Sequence, residues 1–164
     1  MSVENLKKFA LKLGQTQNFI VSATMDIIEN DSFKKKVVEY NKGMLSDGYG
    51  SVAKLGEYTP KAKEMRADMG YQTEFIDLKQ KGDFHNSIFV ESAKMSATTP
   101  AIIIDAKDYK WRSKVSGNRE KPDSLKSLQE RYPDALGINE RDMPEFGGYI
   151  APLLAQRISN FWKI

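Results

Sequence analysis

The chain has 164 residues, 40% hydrophobic and 29% charged, with a net charge of +3, no cysteine and one histidine. That length suits a single domain over residues 1–164, because single cores stay practical to about 250–300 residues. The composition excludes disulfide frameworks, thiolate metal sites, cysteine nucleophiles and sites needing two imidazoles, and +3 is too small for a whole-protein affinity for nucleic acid.

The first predicted element is a short amphipathic helix over Asn5–Leu13, with Leu6, Phe9, Ala10 and Leu13 on one face and a stop at Gly14. A second helix runs from about Thr16 to Met44, either continuous or restarted at Ser32 after Asn30-Asp31, where Ser32 would act as the cap. Gly48, Gly50, Gly56, Pro60 and Gly70 then punctuate a stretch of weak periodicity. It predicts a long loop or arm over about 46–72, holding one short helical turn at Lys61–Met69. Phe75–Leu78, Ser87–Glu91 and Ala101–Asp105 read as strands of an antiparallel meander, the last as a central strand. Residues 107–121 form a basic loop with a local balance of +4. A helix opened by Pro122 follows, and Pro144–Phe161 is an amphipathic helix that Pro152 should kink. The order of elements makes the chain α+β: a long N-terminal helix or helix pair, a small antiparallel β meander and a C-terminal amphipathic helix.

Two segments carry chemical content. Ile104-Asp105-Ala106-Lys107 ends a predicted strand in acid-x-Lys, the core of a metal-dependent nuclease motif. Asp105, with Asp83 or Glu91, would hold Mg²⁺, and Lys107 would position the attacking water. The same two residues serve equally to end the strand and open an exposed loop. That basic loop carries Lys110, Trp111, Arg112 and Lys114, residue types that suit stacking on bases with phosphate contact, or insertion into an acidic protein neighbour. His85 has acids nearby but no Ser or Cys elbow, which fits a hydrogen-bonded residue at a strand edge rather than a general base. The glycines at 48, 50 and 56 serve turns, since no Gly-Lys-Ser/Thr accompanies them. Phe161-Trp162 is an aromatic pair that either tucks onto the core or docks onto a partner.

Several segments together resemble a group of bacteriophage structural proteins. They are Asn41-Lys-Gly-Met-Leu-Ser-Asp-Gly48, Leu55-Gly-Glu-Tyr58, Leu78-Lys-Gln-Lys-Gly-Asp-Phe-His-Asn-Ser-Ile88, Asp105-Ala-Lys-Asp-Tyr-Lys110, Leu128-Gln-Glu-Arg-Tyr132 and Ala135-Leu-Gly-Ile-Asn139. The Gly-Asp-Phe-x-x-Ser-Ile run is similar to a signature of tail-completion and neck (head–tail connector) proteins, with Lys81 in place of the threonine before Gly82, and in the Asn41–Gly48 segment Gly43 stands in place of a glutamine. The resemblance implies a virion component made in the host bacterial cytoplasm, assembling as a multi-copy ring or adaptor, without catalysis or cofactors. Its implied partners are copies of itself and portal, neck or tail proteins, with non-specific contact to packaged DNA and no membrane. Tyr49 and Tyr58 on the arm, and Phe161 and Trp162 at the C-terminus, are the interface candidates. The Asp105–Lys107 nuclease is the alternative function.

Overall fold

The computed structural model describes residues 3–79, 82–96, 99–107 and 131–163. Helix α1 spans Val3–Glu29 without a break, and α2 spans Asp31–Ser46. The stop expected at Gly14 does not occur. An exposed glycine lowers helix stability by only about 1 kcal/mol, and good helix formers flank it on both sides. The break falls at Asn30 instead. Its backbone is extended, and its side-chain oxygen accepts the Ser32 N–H at 2.9 Å, so Asn30 rather than Ser32 is the cap of α2.

Helix α2 is the spine of the fold. It buries Phe33, Val37, Asn41, Met44 and Leu45 along one side. Its first half joins Ile27, Ile28, Val90 and Phe146 in one apolar cluster, and its second half joins Phe84, Ile88, Ala106 and Ala135 in another. Val38 and Ile104 pack against both, so the two clusters are continuous.

The 46–72 stretch is folded onto this spine rather than extended as an arm. Tyr49 bridges to Lys54, and the Ser51 N–H donates to the Asp134 carbonyl at 2.6 Å. Thr59 caps the nine-residue helix α3, Pro60–Asp68, with proline in its first turn, close to the turn expected at Lys61–Met69. At Gly50 a side chain would collide with the Asp134 carbonyl, so only glycine allows the two backbones this approach.

Phe75–Leu78 is not a strand. The Ile76 N–H goes to the Gly56 carbonyl at 2.9 Å, and the Asp77 carboxylate accepts the Lys79 N–H at 2.9 Å. These local bonds occupy the backbone groups a ladder would need. Gly82, left-handed at φ 78°, then leads into the short helix α4, Asp83–Ser87.

Strands β1, Ile88–Ser96, and β2, Thr99–Ala106, pair antiparallel, and among the described residues the expected meander is this two-stranded ladder. Ala101–Asp105 therefore pairs on one side only instead of lying centrally, and Ile102, Ile103 and Ile104 stay half-buried. The register shifts between Val90 and Ser92, leaving Glu91 at the irregularity. Helix α5, Met143–Trp162, runs through Pro152 and lies antiparallel to α1: Phe146 meets Phe33 just beyond the end of α1, while Trp162 meets Phe9 near its start. The basic loop beyond Lys107, with Lys110, Trp111, Arg112 and Lys114, and the helix expected from Pro122 lie outside the described residues.

Candidate functional site

Two features stand apart from the core. The first is a cleft of about 840 Å³. One wall is the C-terminal half of α2, with Lys42 and Ser46; a second is the end of α3, with Arg66 and Tyr71; the third is the 77–86 segment. The floor is a buried polar network. The Arg66 guanidinium donates to both Asp77 carboxylate oxygens at 3.0 and 3.2 Å, to the Gln72 carbonyl at 2.7 Å and to the Lys79 carbonyl at 3.3 Å. Arg66 and Asp77 are only 7% and 4% exposed, so the pair is desolvated, and its extra hydrogen bonds are what make that burial tolerable.

Tyr58 lays its ring on the guanidinium at 4.2 Å and donates its hydroxyl to Asp77 at 2.9 Å. Burial, reinforced by that carboxylate, pushes its pKa up to about 12. Tyr58 is thus half-buried and its hydroxyl and ring face are engaged in the network. His85 closes the floor, its Nε2 donating to the Asp77 carbonyl at 2.7 Å. Burial lowers its pKa, and the neighbouring Lys79 and Lys42 charges act in the same direction. His85 is hydrogen-bonded as the sequence suggests, but in the helical turn before β1 rather than at a strand edge.

The second feature is a two-helix stalk. None of residues 4–22 of α1 is buried; the first buried side chain is Ala23. At 1.5 Å per residue this is roughly 30 Å of helix, and the end of α5 packs along it. Phe161 stacks on Phe19 with centroids 4.1 Å apart, and Trp162 packs on Phe9 at 5.6 Å. The Lys12 ammonium donates to the Phe161 and Lys163 carbonyls, both at 2.8 Å, capping the free carbonyls that end α5. So Phe161-Trp162 tucks against its own chain. Beyond this bracing, Leu6, Leu13 and Ile20 recur every seventh residue and remain 52%, 59% and 37% exposed, a heptad seam without a covering helix among the described residues.

The remaining site candidates scatter. Tyr49 is half-buried beneath the Arg141 guanidinium, 4.0 Å from its ring. Asp105 pairs across the ladder with Phe89 and accepts the Ala106 N–H at 2.7 Å, while the Lys107 ammonium lies 5.4 Å from the Phe89 ring. Of the acids that would complete a nuclease set, Asp83 opens α4 and Glu91 sits at the strand irregularity. Among the described residues no group of three or more His, Asp or Glu side chains is placed to hold a metal ion.

Two buried asparagines tie the 135–139 segment to the rest of the body. Asn41, fully buried, donates to the Ala135 and Gly137 carbonyls at 3.2 and 2.9 Å, and Asn139 donates to the Gly50 carbonyl at 2.8 Å. No family model, curated protein or solved structure matches this chain.

Proposed function

We propose that this chain is a structural component of a bacteriophage particle, located at the neck, head–tail connector or tail, and that it assembles as a multi-copy ring or adaptor rather than performing chemistry. The observation that carries the reading is the stalk. Leaving Leu6, Leu13 and Ile20 in water is unfavourable, since burying each such side chain is worth about 1.5–3 kcal/mol. An apolar seam left exposed among the described residues is the kind of surface that docks a partner. The phage resemblance supplies the kind of partner: a neighbouring copy, or the portal, neck or tail protein next in the stack. A ring needs two different patches on each chain, because its contacts are heterologous and close by rotation. The stalk is one, and the Tyr49–Arg141 face is the other.

Quantitative mass spectrometry of purified particles tests the location. A low, fixed copy number relative to the major capsid protein is the expected result. Absence of the chain from intact particles would remove the reading.

A further inference from the structure

The cleft between α2, α3 and the 77–86 segment presents charge that the fold does not use. Among the described residues Asp77 is the one carboxylate lining it, and its oxygens are taken by Arg66, the Tyr58 hydroxyl and the Lys79 N–H. Arg66 is in turn held by Asp77 and two backbone carbonyls. The Lys42 and Lys79 ammoniums are different: neither has an ion-pair partner among the described residues. Ser46 and Asn86 add a hydroxyl and an amide to the same lining. Gly43 and Gly70 leave open space where side chains would otherwise narrow it.

We propose that this cleft binds phosphate, held between the Lys42 and Lys79 ammoniums and completed by Ser46 and Asn86. The choice of phosphate over carboxylate follows from the cations. A planar carboxylate is matched by the arginine fork, and the cleft's arginine is already locked; two lysine point charges across an open space suit an anion whose charge is spread over several oxygens. The phosphate comes either from a nucleic-acid backbone or from a small phosphate compound. The inference is independent of the assembly reading, because it uses neither α1 nor α5.

His85 makes the test direct. It lines the cleft, and it is the chain's one histidine, so its imidazole signals are unambiguous in the NMR spectrum of the full chain. Pyrophosphate added at constant pH and ionic strength should shift those signals saturably. The double variant Lys42→Ala/Lys79→Ala should weaken that binding by about tenfold or more, whereas Lys7→Ala, on the stalk, should leave it unchanged. Competition by a single-stranded oligothymidylate identifies the source. Displacement, with a salt dependence whose log–log slope falls by about 1.4 in the double variant, assigns the site to a nucleic-acid backbone. Failure to displace pyrophosphate assigns it to a small phosphate compound. No saturable shift beyond that of matched chloride, equal affinity in the double variant, or equal affinity for citrate would overturn the proposal.

Discussion

Arg66 and Asp77 show how much of this molecule depends on single polar side chains. They lie 11 residues apart, one on α3 and one in an irregular segment, and together with Tyr58 they hold the 46–79 region in a defined shape. Removing one partner of a buried pair leaves the other charge uncompensated. Arg66→Ala should therefore destabilise the chain by about 3–5 kcal/mol, measured by urea denaturation, and should release the Tyr58 ring from the guanidinium. A loss below 1 kcal/mol would mean that the network is solvated and not a floor. None of this was legible beforehand. Arg66 sits in a charged run of α3, where an arginine is ordinarily solvated, and Asp77 falls on a position that strand periodicity would turn outward. Only the chain's return past α3 puts them face to face. Asn41 was equally unmarked, because a polar residue on an apolar helix face looks the same whether it satisfies buried carbonyls or faces water.

At the scale of elements, apolar spacing predicted what it physically controls. The helices α1, α2 and α5 and the β-branched run of β2 are all present, and in α2 the apolar stripe is the buried side, whereas in α1 it is buried only from Ala23 onward. Punctuation is less legible in sequence: the stop expected at Gly14 does not occur, and the break falls at Asn30. Glycine interrupts a helix only at a modest cost, whereas Asn30 actively ends one and starts the next through its own side chain. Gly14 is in open space, with no neighbour within 4 Å of where a side chain would begin. Gly14→Ala should thus raise stability by roughly 0.5–1 kcal/mol, seen as a higher thermal midpoint by circular dichroism. An unchanged or lowered midpoint would show that the first half of α1 frays independently of the body. The 46–72 arm was misread for a related reason: glycines that mark turns in a packed segment look, in sequence, like those of a free one.

The described residues join a packed body to a stalk whose apolar seam none of them covers, and the two call for different explanations. In the body, Asn41 ties α2 to the Ala135 and Gly137 carbonyls and Asn139 ties the same segment to the Gly50 carbonyl. The stalk accounts for its residues only if something covers them. Phe161 and Trp162 pack on Phe19 and Phe9 of the same chain, and on the neighbouring face Leu6, Leu13 and Ile20 stay exposed, the surface on which the proposed docking rests. Among the described residues no helix is long and apolar enough to cross a membrane.

Sedimentation velocity of the full chain over a wide concentration range, beside the variant Leu6→Glu/Leu13→Glu, tests assembly through the stalk most directly. Both substitutions fall on exposed helical positions, so the variant should keep its helical content by circular dichroism. The wild-type chain should populate species larger than a monomer as concentration rises, and the variant should sediment as a monomer throughout. A wild-type chain that stays monomeric at every concentration, or a variant that associates as strongly as the wild type, would contradict the account.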